Sequence, residues 1–69
     1  MPTRTDYLAK AKVAARRAEQ LAERAETFAH GNDARQAEMY AAVSQAWSAE
    51  ARTCAAIAAA LPADDTTED

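Results

Sequence analysis

Apolar residues recur along most of the chain at steps that alternate between three and four positions. The first series is Tyr7, Ala11, Ala14, Ala18, Leu21, Ala25 and Phe28. It resumes after a Gly-Asn pair as Ala37, Tyr40, Ser44, Trp47, Ala51, Cys54, Ala58 and Leu61. Because this spacing is typical of helices that pack along a seam, it predicts two long helices.

Polar residues at the start of the first series indicate where the first helix begins. Thr3 fits an N-cap whose capping-box partner is Asp6, and Thr5 is the competing cap. Gly31 is the only glycine in the chain, and we expect it to adopt the left-handed conformation that ends a helix. The first helix is therefore predicted over about residues 5–30.

The second helix is predicted over about residues 33–61, after a turn at 31–32. Asn32 or Asp33 would act as its N-cap, with Gln36 completing a capping box after Asp33. Pro62 ends it, because proline cannot continue a helix. We expect residues 1–61 to form one antiparallel αα-hairpin and the acidic residues 62–69 to be a disordered tail.

In both predicted helices the residues at heptad position a are small, and those at heptad position d are mostly large. Small residues at every a position would let the two backbones approach more closely than the usual 8–10 Å. We predict that the hairpin seam contains Tyr7, Ala11, Ala18, Leu21, Ala25, Phe28, Tyr40, Trp47, Ala51, Cys54 and Leu61.

Further apolar residues lie beside the seam and would face water in a single hairpin. Leu8, Met39, Val43 and Ile57 are the large members of this group. Since two helices alone bury little apolar surface, we expect these residues to form an oligomer interface. A homodimeric four-helix bundle, or a higher bundle, would cover them, and a larger helical protein would satisfy the same requirement.

The net charge of −3 conceals an uneven distribution. Four of the eleven acidic residues lie in 64–69, which leaves eight basic and seven acidic residues elsewhere. Lys10, Lys12, Arg16 and Arg17 cluster in the first helix, so phosphate contact by a small nucleic-acid-associated regulator is an alternative function. Nucleic acid is nevertheless not the expected partner, because no row of aromatic or amide side chains that could contact bases accompanies the cluster.

Candidate chemistry is sparse. Glu19, Glu23, Glu26 and His30 follow one side of the first helix, which leaves a metal-binding bundle as a second alternative. These positions face away from the seam, and we expect a solvated surface with no metal or cofactor. Cys54 is the only cysteine and should be a buried, inert thiol. No nucleophile–base pair can be drawn with a single histidine, so no catalytic site is predicted.

The chain has no segment that resembles a secretory signal or a membrane span. We therefore expect a cytoplasmic, non-enzymatic helical interaction module that associates with itself.

Overall fold

The computed structural model describes residues 2–63, which form two helices packed against each other with no strand in that range. Helix α1 spans Arg4–His30 and helix α2 spans Ala34–Ala60. The short connection makes the two helices antiparallel neighbours, which confirms the predicted all-α hairpin. The predicted bundle concerns contacts between chains and stays a prediction. Most of the predicted acidic tail, residues 64–69, lies outside the described part.

Helix α1 begins at a reciprocal capping box. The Thr3 backbone N–H donates to a carboxylate oxygen of Asp6 at 2.9 Å, and the Asp6 N–H donates to Thr3 Oγ1 at 3.2 Å. These two bonds satisfy backbone donors that the first helical turn leaves without partners. Thr3 rather than Thr5 is therefore the N-cap.

Helix α1 ends in a Schellman motif whose left-handed residue is Asn32. The N–H of Asp33 donates to the Phe28 carbonyl at 2.9 Å, and the N–H of Asn32 donates to the Ala29 carbonyl at 3.3 Å. Asn32 has a φ of 66°, whereas Gly31 has a φ of −88°. The expectation that Gly31 supplies the left-handed residue was wrong. Asparagine tolerates this region better than most residues with a side chain, so the turn does not require glycine there.

Asp33 is the N-cap of helix α2, and its side chain accepts a hydrogen bond from the Gln36 N–H at 3.2 Å. Of the two N-caps considered, Asp33 takes the role and Asn32 does not. The predicted capping box is only half formed, because the Asp33 N–H already donates to the Phe28 carbonyl. One residue thus ends α1 through its backbone and starts α2 through its side chain. Leu61 is extended before Pro62, as the steric demand of proline requires.

The interior of the hairpin is built from small residues. The buried apolar residues are Ala14, Ala18, Cys54 and Ala58, and the buried polar residue is Ser44. The larger seam residues lie half-buried at the edges of this narrow core: Tyr7, Leu21, Phe28, Tyr40, Trp47 and Leu61. Ala11, Ala25 and Ala51 are half-buried too. In the described residues no large side chain is completely buried, so the hairpin has a seam but no thick core.

Candidate association surface

One side chain of α2 reaches across the seam to the backbone of α1. The Ser44 hydroxyl donates to the Ala18 carbonyl oxygen at 2.7 Å, and both residues are buried. The serine side chain is short, so this bond forms only when the two backbones are close. Ser44 and Ala18 therefore fix the height at which the helices face each other, and they divide the hairpin surface into two flanks.

One flank, here called the groove flank, is a shallow apolar groove. Its floor on α1 contains Ala15 and Ala22, and its floor on α2 contains Ser48 and Ala51. The groove continues toward the turn, because Ala29 lies seven positions beyond Ala22 and Ala41 lies seven before Ser48. No aromatic side chain lines either part of this groove.

Charged residues form the rims of the groove flank, and their sign changes along its length. Lys12, Arg16 and Arg52 border the part near the chain ends, with Glu19 beside them. Glu26 and Glu38 border the part near the turn. Within residues 2–63, Lys12, Arg52, Glu26 and Glu38 make no ion pair. The rims are therefore cationic at one end and anionic at the other.

The opposite side, here called the tryptophan flank, carries Lys10, Val13, Trp47 and Glu50 around a smaller hollow. Its cations lie against aromatic rings. The Arg17 guanidinium is 5.3 Å from the centre of the Trp47 ring, and Lys10 Nζ is 5.2 Å from the centre of the Tyr7 ring. Such contacts stabilise partly exposed sites by about 0.5–1 kcal/mol each.

Phe28 and Tyr40 stack at the turn end of the hairpin. Their ring centres are 5.3 Å apart and their planes differ by 6°. The two residues come from different helices, so the stack joins α1 to α2 just beyond the Schellman motif. Aromatic pairs of this kind stabilise a fold by about 0.5–1.5 kcal/mol beyond the area that they bury.

Cys54 is a buried free thiol whose environment keeps it protonated. Its Sγ donates to a Glu50 carboxylate oxygen at 3.6 Å. Burial raises the pKa of the Cys54 thiol above its ordinary value of 9.0, the Glu50 carboxylate raises it further, and Lys10 opposes the rise. The nearby cation is thus Lys10 of the facing helix, which sequence spacing along α2 alone does not reveal.

Large apolar side chains remain exposed on both flanks. Met39 and Val13 are 57% exposed, Val43 is 45%, Leu8 is 43% and Ile57 is 37%. The heptad spacing places Val43 and Ile57 on the tryptophan flank, seven positions to either side of Glu50. It places Leu8 on the groove flank, seven positions before Ala15. The four residues predicted for an oligomer interface therefore do not share one side of the hairpin.

Val13 is an exposed apolar residue that the sequence pattern missed. It lies outside the seam rows, so the periodicity did not single it out, and its only distinctive feature is that it is a valine near charged residues. It borders a hollow on the outer side of α1 together with Lys12, Arg16 and Arg17. Three of the four residues predicted for phosphate contact thus meet around one hollow, while Lys10 lies over the Tyr7 ring.

Comparison of the chain with family models, curated proteins and solved structures found no match.

The sequence also raised a metal-binding bundle as an alternative and predicted that no segment spans a membrane. Within residues 2–63 no group of three or more histidine, cysteine or acidic residues is arranged to hold a metal ion. The carboxylates of Glu19 and Glu26 instead border the groove flank at separate heights. Neither α1 nor α2 has an apolar stretch of the length that crossing a membrane requires.

Proposed function

We propose that this protein is a non-enzymatic helical module that associates with copies of itself into a helical bundle. The observation that carries the proposal is the exposure of five large apolar side chains, each between 37% and 57%, beside a core of alanine, cysteine and serine. Burying apolar side chains is the main favourable term in folding, and this hairpin leaves five of its large ones exposed to water.

The energetics of a two-helix fold support association. Ordering each residue of the hairpin costs about 1–2 kcal/mol of backbone entropy, and a thin alanine seam returns little of it. A second hairpin would cover part of the exposed apolar surface and supply the missing layer of a four-helix bundle. Closed symmetric assemblies of identical chains are the usual solution for small helical proteins.

The proposal is tested by measuring the molar mass of the purified protein in solution. Sedimentation equilibrium should give a mass above the 7.4 kDa of one chain, and helicity should fall on dilution as the assembly dissociates. Leu8→Asp puts a charge on the groove flank and Val43→Asp puts one on the tryptophan flank, and the average mass should fall in the variant whose flank forms the interface. Ala42→Asp, at an exposed position of α2 that lines neither flank, is the matched control. A stable, folded monomer would contradict the proposal.

A second candidate function is phosphate contact with nucleic acid, favoured by the meeting of Lys12, Arg16 and Arg17 around one hollow. Replacement of all three by glutamine should then abolish binding to random-sequence DNA. The binding constant should fall steeply as salt rises, because each neutralised phosphate releases counterions. Weak binding that is insensitive to salt would remove this candidate.

A further inference from the structure

We infer that the groove flank is the face on which two copies of this chain pack antiparallel, the turn end of one against the open end of the other. The inference rests on the proposed self-association and adds the face and the orientation. It follows from four rim charges whose signs and heights make the groove complementary to itself.

The rim charges are placed symmetrically about one level of the hairpin. Lys12 and Glu26 lie fourteen positions apart on α1, and the midpoint between them is residue 19. Arg52 and Glu38 lie fourteen positions apart on α2, and their midpoint is residue 45. The bond from Ser44 to the Ala18 carbonyl and the contact of Arg17 with Trp47 put residues 19 and 45 within about 3 Å of the same height. Each opposite-charge pair is about 21 Å long and is centred on the same level.

A two-fold axis through that level brings opposite charges together. In the antiparallel arrangement α1 faces α1 of the second copy, so Lys12 lies opposite Glu26 of the second copy. Likewise α2 faces α2, and Arg52 lies opposite Glu38 of the second copy. Each pair occurs twice by symmetry, because the contact uses the same patch on both chains.

The parallel arrangement is disfavoured by the same residues. With both turns at one end, α1 of one copy would face α2 of the other. Lys12 would then lie opposite Arg52, and Glu26 opposite Glu38. Like charges placed across an interface weaken binding and suppress the wrong arrangement. The charge pattern therefore selects the antiparallel dimer.

The floor of the groove suits such a partner in shape and area. Alanine and serine side chains form low ridges, so two hairpins can approach closely along the full face. A face about 40 Å long and about 20 Å wide offers about 800 Å² per partner, which is the usual size of a specific interface. Leu8, exposed near the open end, would be covered by the turn end of the second copy.

Glu19 and Arg16 are the rim charges outside the two symmetric pairs. Glu19 lies at the level of the axis and would meet Glu19 of the second copy, with Arg16 one turn away. Glu19→Gln removes this repulsion without changing the length of the side chain. The antiparallel dimer should therefore bind up to about fivefold more tightly in the Glu19→Gln variant, since exposed charge contacts have modest effects.

The deciding experiment is a charge-reversal cycle measured by sedimentation equilibrium at low salt. Lys12→Glu and Glu26→Lys should each raise the dimer dissociation constant about tenfold, because each places two like-charge pairs in the interface. The double variant Lys12→Glu/Glu26→Lys should restore dimerisation, since the pairs are again opposite in sign. Arg35→Glu makes the same change of net charge as Lys12→Glu at an exposed position outside the groove, and it should leave the constant unchanged. Circular dichroism at high protein concentration checks that each variant is helical.

Different results separate the possible failures. A wild-type dimer that none of the rim variants affects would overturn the inference and assign the interface to the tryptophan flank, leaving the proposed self-association intact. A Lys12→Glu variant that dimerises more tightly would overturn it in favour of the parallel arrangement. A monomeric wild type would refute the proposed function, and the inference with it.

Discussion

Ser44 donates a 2.7 Å hydrogen bond across the hairpin to the carbonyl oxygen of Ala18, and both residues are buried. Ser44→Ala should lower the free energy of unfolding by about 0.5–1.5 kcal/mol, the usual net contribution of such a bond. The loss stays moderate because the Ala18 carbonyl keeps its bond within α1. Urea denaturation at fixed protein concentration measures it. Ser48→Ala, a half-buried serine of the same helix without this bond, is the matched control and should change stability by less than about 0.5 kcal/mol.

The stability of the hairpin should depend on small residues in the seam. Ala14 is 2% exposed, so Ala14→Leu would force the helices apart and should destabilise the hairpin by about 1–3 kcal/mol. Ala42→Leu makes the same change at an exposed position of α2 and should be close to neutral. Thermal unfolding followed by circular dichroism compares the two. Equal effects at both positions would contradict the close-packed seam.

The turn should tolerate the loss of its glycine better than the loss of its asparagine. Gly31 has an ordinary φ, and an added Cβ would meet its nearest atom, the Thr27 carbonyl oxygen, at 3.5 Å. Gly31→Ala should therefore be neutral or stabilise the fold by about 0.4–1 kcal/mol, because alanine lowers the conformational entropy of the unfolded chain. Asn32→Ala should destabilise it by about 1 kcal/mol, since alanine is strained at positive φ. Chemical denaturation of both variants checks the order, and the reverse order would refute the assignment of Asn32 as the left-handed residue.

The aromatic stack at the turn should couple the two helices energetically. Phe28→Ala and Tyr40→Ala should each destabilise the hairpin, and a double-mutant cycle should give a coupling of about 0.5–1.5 kcal/mol. Phe28 with Trp47, which lies farther along the seam, provides the control cycle and should show additive effects. A Phe28–Tyr40 coupling near zero would mean that the stack contributes only through burial.

Cys54 should make stability depend on pH in the alkaline range. Its pKa is raised in the folded protein by burial and by Glu50, so the folded chain holds the thiol proton more tightly than the unfolded chain. The stability that this adds is fully present below pH 9.0, the ordinary thiol value, and is lost as the pH rises through the folded value. The Cys54→Ala variant should lack this part of the decline, and the difference between the two pH profiles isolates the thiol. Alkylation of the native protein should also be slow, since the thiolate is the reactive form.

Periodicity and end signals were enough to predict the all-α hairpin, and the reason is local. A step of three and four positions specifies a helix whatever lies around it, and Thr3, Asp6 and Pro62 act on their own turns of backbone. Even the error at Gly31 was local, because Asn32 can adopt the left-handed conformation and the sequence alone does not say which of the two neighbours does.

The tertiary structure decided which residues meet across the seam. The register set by Ser44 and Ala18 brings Arg17 over Trp47 and Lys10 near Cys54, and no spacing within one helix contains that information. The antiparallel packing of the helices puts Leu8 and Val43 on opposite flanks, although the sequence shows both as apolar residues beside the seam. The register also aligns the midpoint of Lys12 and Glu26 with that of Arg52 and Glu38. A heptad pattern fixes the angle of each side chain about its own helix axis, whereas only packing fixes the height of one helix against the other.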